Sequence, residues 1–248
     1  MAPGNTARRG IDWRPKPCRE RGHAGARRPL CSPYTTPAGD GFFDVIVGEA
    51  FRRAGLRLKL VKLPAERGLI NANASIEDGE LARVAGINKL YPNLVPVPEK
   101  LVDYQFVAFV RRARPSTDSW ASLEPFSVGH IKGWKNLERA VTPATEVTTV
   151  DSAEQLFTML GKNRIDVALY ERWMGVALGK QMQMQDLRVV DPPLQMQSMF
   201  TYLHKRHAEK VPAIVAALRA IKAEGLYTRF CREKFAPLGA PASHCEAK

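Results

Sequence analysis

The 248-residue chain has no uninterrupted apolar stretch of about 18 residues, so a membrane-spanning helix is excluded and stable membrane insertion is not expected. It has no P-loop, no Gly-x-Ser-x-Gly elbow and no dinucleotide glycine fingerprint, which removes the nucleotide and acyl-transfer sites those motifs build. Its five histidines (His23, His130, His204, His207, His244) stand at no metal-binding spacing; His204 and His207 follow a strand and are expected to face solvent. The four cysteines (Cys18, Cys31, Cys231, Cys245) lack the paired spacing of a zinc site, and Cys231 and Cys245 can pair in an oxidising compartment or remain thiols. No metal, no cofactor and no catalytic residue are therefore expected. The N-terminus also lacks an export signal: it has the charge, but not the apolar stretch of about 7–15 residues that should follow.

What the chain has in excess is positive charge, +12 in all. Eight of its Lys and Arg fall in residues 1–30, against only Asp12 and Glu20. That segment is rich in Pro and Gly, shows no apolar periodicity and is expected to be a disordered basic tail. The remaining charge is spread thinly, and no stacking or groove-reading motif accompanies it, so a nucleic-acid partner is not expected. An apolar content of 45% beside 25% charged residues suits a globular protein with a substantial core.

Periodicity organises the rest. Phe43, Ile46, Val47, Ala50, Phe51 and Ala54 make one apolar helical stripe, closed by Gly55. Leu56, Leu58 and Leu60 alternate with Arg57 and Lys59 as a strand does. A helix over 65–74 and a strand over 81–85 follow. Phe106-Val107-Ala108-Phe109-Val110 is apolar on both faces, as a strand buried under helices should be. Strands are expected at 127–131, 146–150, 165–169, 187–190 and 199–203. Asp151, with Glu154 three residues on, is expected to cap a helix that carries Leu156, Phe157 and Leu160 inward. A last helix carries Val211, Ile214, Val215, Leu218 and Ile221. Strands alternating with helices predict an α/β fold with largely parallel sheets. Extended crossings near 107–112 and 194–198 predict two lobes, 31–108 plus 197–240 and 109–196, with residues 241–248 as a tail.

The order of these segments resembles the bacterial extracellular solute-binding protein family 3, the amino-acid-type binding proteins of ABC transporters. The resemblance covers roughly residues 31–236. It rests on Pro33-Tyr34, on Gly41-Phe42-Phe43-Asp44-Val45, on the turn Val128-Gly129-His130-Ile131-Lys132-Gly133, on Arg164-Ile165-Asp166-Val167-Ala168-Leu169, and on the closing Gly225-Leu226-Tyr227. It implies a two-lobed periplasmic-binding-protein-like (type II) fold with two hinge strands, closing on a small polar, amino-acid-like ligand. It further implies a monomer in the periplasm, an ABC permease as partner and no enzyme activity. The same module also serves as a sensor domain in signalling systems, and a few relatives of this fold are dehydratases. No transmembrane or signalling segment follows here, so a free-standing binder is expected. For the family's opening strand only Arg28-Pro29-Leu30-Cys31-Ser32 is available, and Pro29 is poor strand material. Residues 1–29 are accordingly expected not to be a native leader.

A zwitterionic ligand needs hydrogen-bond donors and a guanidinium for its carboxylate, and a carboxylate for its ammonium. Tyr34 can form an aromatic wall or pack within its own lobe. Arg83 lies in an apolar strand and needs an anionic partner, either a ligand carboxylate or Glu66 or Asp103. The family's Thr-Pro-x-Arg is absent, with Asn88-Lys89-Leu90 in that region, so Arg83 is proposed on physical grounds alone. At the second lobe's turn the Gly133 backbone N–H remains a donor, but Trp134 replaces the usual threonine. Glu171 stands five residues after Asp166, where the family often carries an ammonium-binding aspartate; its alternative role is to complement a helix dipole. Tyr170 and Trp173 flank it. The added aromatic surface suggests a flatter or cationic ligand.

Overall fold

The stripe read from the sequence folds as helix α1 (Phe42–Arg53), with Phe42, Phe43, Ile46, Val47, Ala50 and Phe51 buried. Asp44 secures its start by accepting hydrogen bonds from the amides of Gly41 (2.9 Å) and Thr36 (2.8 Å). This computed structural model describes residues 32–61, 63–141 and 146–246. The basic segment expected to be disordered, together with Cys18 and Cys31, lies outside the described residues.

The remaining elements, in chain order, are α2 (Ala65–Asn73), β1 (Gly79–Val84), β2 (Leu94–Pro96), β3 (Val102–Val110), β4 (Val128–Ile131), α3 (Lys135–Ala140), β5 (Val147–Val150), α4 (Ala153–Gly161), β6 (Val167–Glu171), α5 (Arg172–Gln181), β7 (Arg188–His204), α6 (Val211–Ala223) and α7 (Leu226–Phe235). The strands form one hydrogen-bonded sheet in the order β1-β7-β3-β6-β4-β5, with β2 also on β7. Its centre is the pair β3 and β7. Residues 106–110 of β3 are all buried, as an apolar run covered on both faces must be.

Four expectations are corrected here. The strands read separately at 187–190 and 199–203 are one seventeen-residue strand, β7, because the extended stretch between them keeps pairing with β3 (Phe106 with Gln195, Val102 with Met199). The sheet is mixed rather than largely parallel: β4 runs parallel to β5 and β6, but the pairs made by β3 and β7 are antiparallel. Residues 56–61 pair with no strand among the described residues, and their alternation ends early, with Leu56 and Leu58 half-buried but Leu60 exposed. At α4 the cap is one residue later than expected. Ser152 Oγ accepts from the Gln155 amide at 3.2 Å, while Leu156, Phe157 and Leu160 are buried as read.

Helices α1, α6 and α7 cover one part of the sheet, burying Ile46, Ile214, Leu218, Ile221 and Phe230 with Phe106 and Val110 of β3. On the opposite side of β3, Val107 and Phe109 pack with Phe157, Leu160 and Leu178 of α4 and α5. A smaller cluster under α2 joins Leu69 and Ala72 to Ile87, Leu94 and Tyr202. Each large side chain buried this way contributes about 1.5–3 kcal/mol. The approach of α5 to β3 depends on Gly175: a Cβ there would stand 2.2 Å from Phe109 Cζ. Gly175→Ala is expected to cost about 2 kcal/mol through overpacking, read as a shift in the urea midpoint at unchanged m-value.

Residues 236–246 fold back on the body. Cys231 and Cys245 form a disulfide, and the His244 ring lies 5.2 Å from Trp173 and 4.9 Å from Phe235. Of the two histidines expected at the surface, His204 is instead buried, its ring accepting from the Arg206 amide, because β7 carries it inward at the sheet's edge.

Candidate ligand-binding site

Glu171 ends β6 and caps α5 in one residue. Its Oε2 accepts the Met174 amide at 2.8 Å, and its Oε1 accepts the Tyr34 hydroxyl at 3.1 Å. The side chain is fully buried, and that burial pushes its carboxyl up to about 7, with the hydrogen bonds from Met174 and Tyr34 opposing. Glu171 thus does play the part of a helix-terminal charge. Tyr34 is buried as well, its ring packed 4.9 Å from Phe43, 4.8 Å from Tyr104 and 5.0 Å from Phe235. Burial and the neighbouring Glu171 carboxylate hold the Tyr34 phenol well above its ordinary range.

Trp134 stands at the N-terminal edge of α3. Its indole stacks flat on Tyr170, centroids 4.8 Å apart and 9° from parallel, and meets Phe106 edge-on at 5.6 Å. Gly133, beside it, has φ +84°, the left-handed conformation that glycine alone adopts cheaply. The Gly133 N–H survives as a donor, but it is engaged: Glu138 Oε1 accepts it at 2.7 Å.

Arg83 donates to Ala65 O and to Glu80 Oε2, each at 2.9 Å. Its partner is therefore neither Glu66 nor Asp103. Residues 80 and 83 of a regular strand would face opposite ways. The register shift between them in β1 turns both to one side, which makes the pair. Asp103 is taken by Lys100 (2.8 Å) and Ser198 (2.6 Å), and Glu66 by Lys135 (3.1 Å).

These groups form one neighbourhood. A Cβ on Gly133 would lie 3.5 Å from Glu66 Cβ and 4.0 Å from Ala65 Cβ, which puts the turn before α3 against the start of α2. Lys135 bridges Glu66 on α2 and Glu138 on α3, both at 3.1 Å. Asn136 reaches Gln195 of β7 at 3.2 Å. The Tyr104 phenol is pushed up by burial and then by Glu171, and its ring lies 4.8 Å from Tyr34 and 6.3 Å from Phe106. Tyr34 thus meets Glu171 at the end of β6, with Trp134 stacked on Tyr170 at the preceding position, while Arg83 and Gly133 meet around the start of α2. Tyr104 and Phe106 of β3 lie between the two groups.

Lys135, Glu138, Glu80 and Tyr104 were missed from sequence. Glu138 carried a usable signal, an acidic residue three positions after Lys135 in the first turn of a short helix. Glu80 and Tyr104 carried none, because their roles come from a bulge and from strand pairing. Among the described residues there is no group of three or more His, Cys, Asp or Glu placed to hold a metal.

No family model matches the sequence. An uncharacterized protein of Shewanella oneidensis is 22% identical over 194 residues, covering 75% of this chain and 73% of that one. Among solved structures, a mutant of the arginine-binding protein ArgBP from T. maritima superposes with a TM-score of 0.70 at 19% identity, covering 82% of this chain and 90% of that one. An ancestral arginine-binding protein bound to glutamine gives 0.68 at 16% identity, over 79% and 87% of the two chains. The amino acid ABC transporter substrate-binding protein AbpA from Streptococcus pneumoniae, bound to L-arginine, gives 0.66 at 16% identity, over 81% and 86%. This likeness defines the fold. It is the α/β, two-lobed periplasmic-binding-protein fold of type II.

Proposed function

We propose that the chain is a family 3 solute-binding protein that captures a small polar, amino-acid-like ligand between its lobes and passes it to an ABC permease. The lobes are residues 31–108 plus 197–240 and residues 109–196, hinged on β3 and β7. The observation that carries this reading is the convergence of α2, the turn at Gly133 and the end of β6 around the two connecting strands. In open α/β sheets, ligands bind where strand ends and helix starts meet at a change of connection. Similar folds hold arginine or glutamine, which supports a ligand of that size and polarity. Tyr34, Arg83, Gly133, Trp134, Tyr170 and Glu171 are the proposed contacts. The protein acts as a monomer in the periplasm, with no covalent chemistry. Among the described residues no helix is long and apolar enough to cross a membrane.

A thermal-shift screen of amino acids, amines and other small polar solutes on the purified chain tests this directly. At least one solute is expected to raise the melting temperature in a concentration-dependent way. Trp134→Ala is expected to weaken that solute about tenfold by isothermal calorimetry, the worth of one aromatic wall. An unchanged Kd would remove Trp134 from the site.

A further inference from the structure

Resting on that solute-binding reading, we infer that the cleft selects cationic solutes without a carboxylate, simple amines or guanidines, over the α-amino acids that carry the same side chain.

A ligand carboxylate is recognised by donors it can have to itself. Two groups are positioned to supply them, the Gly133 N–H and the Arg83 guanidinium, and each already holds a carboxylate of the protein. Glu138 Oε1 sits 2.7 Å from the Gly133 nitrogen, and Glu80 Oε2 sits 2.9 Å from Arg83 Nε. Arg83 Nη2 also donates to Ala65 O, which leaves Nη1 as the remaining donor of the guanidinium. A ligand carboxylate at the Gly133 N–H, or paired across the Nε edge of Arg83, must displace a resident one, and Nη1 alone offers it no paired fork. Displaced Glu80, with its side chain 12% exposed, would be left in a poor dielectric without its cation. Displaced Glu138 would lose the Gly133 amide and stand as a like charge beside the newcomer.

The charge balance points the same way. Around the junction of α2, α3 and the end of β6, the bonded network contains three carboxylates (Glu66, Glu80, Glu138) and two cations (Arg83, Lys135). This excess of negative charge sits on a chain whose net charge is +12. The part-exposed ring of Trp134, backed by the buried rings of Tyr170 and Phe106, offers what an ammonium or guanidinium binds through its charge and what a carboxylate does not. Selectivity would come chiefly from rejecting the carboxylate, through two donors that are already engaged, rather than from any new contact to the amine.

Matched pairs differing only by the carboxylate test this on the full chain by calorimetry: agmatine against L-arginine, cadaverine against L-lysine, and 2-phenylethylamine against L-phenylalanine. In whichever pair binds, the amine is expected to be at least tenfold tighter. Glu138→Ala and, independently, Glu80→Ala should each move the amine-to-amino-acid ratio at least fivefold toward the amino acid, by releasing a donor and removing a like charge. Circular dichroism checks that each variant is folded, and either one alone suffices. Equal or tighter binding of the amino acid overturns the inference and leaves solute capture standing. The same holds if only neutral or anionic solutes bind. Failure of every solute to bind sinks the solute-capture reading itself.

Discussion

Replacing Cys231 and Cys245 together by serine is expected to lower the unfolding free energy by about 3 kcal/mol, the loop-entropy value for a crosslink of this span. The two half-cystines are 14 residues apart and both are buried. The bond closes a loop that carries α7's last turn and the returning segment 236–246. Without it, that segment is held by the Thr228 hydroxyl on Cys245 O (3.2 Å), Lys180 on Pro237 O (2.8 Å) and the His244 ring against Trp173 and Phe235. The last of these contacts matters beyond the tail, since Trp173 opens α5 directly beside Glu171. Urea denaturation of the serine pair against the oxidised parent checks the figure. A change below about 1 kcal/mol would mean that the apolar contacts alone hold the segment.

The elements legible in the sequence were those whose pattern is local. The stripe from Phe43 to Phe51 required a helix, and the doubly apolar run at 106–110 required a central strand; both are there. What was not legible depends on partners distant in the chain. The Pro192-Pro193 step reads as a break between strands, yet β7 continues across it because β3 supplies a ladder on either side. The alternation at 56–61 is as regular as any in the chain, but among the described residues it has no neighbour to pair with. The disulfide stayed open as a question until the fold brought the Cα atoms within 5.4 Å. At the site, Tyr34 and Glu171 could each be picked out, but a hydrogen bond across 137 residues could not. Arg83 was read correctly as needing an anion. Its choice of Glu80 rests on a register shift that no single-strand pattern encodes.

Glu171→Gln is expected to change the pH dependence of stability more than any other single substitution at the site. The carboxyl is fully buried, accepts from one hydroxyl and from backbone amides, and has no cation as a direct partner among the described residues. Its ionised form therefore lacks the compensation that a buried charge needs. Burial raises it from an ordinary 4.5 to about 7, so between those values the folded protein binds one more proton than the unfolded chain. Stability contributed by the group is fully present below pH 4.5 and is lost as pH rises through 7, a change of about 3 kcal/mol. Glutamine keeps an acceptor for the Met174 amide and cannot ionise. The parent should thus fall relative to Glu171→Gln by about 3 kcal/mol between pH 4.5 and pH 8, read from urea unfolding at half-unit steps. The same titration bears on recognition: a cationic ligand gains an attractive charge only once Glu171 ionises, so its affinity in the parent should rise through pH 7 and stay flat in Glu171→Gln. Parallel stability curves for the two proteins would show that Glu171 is ionised throughout and that its amides and Tyr34 compensate the buried charge.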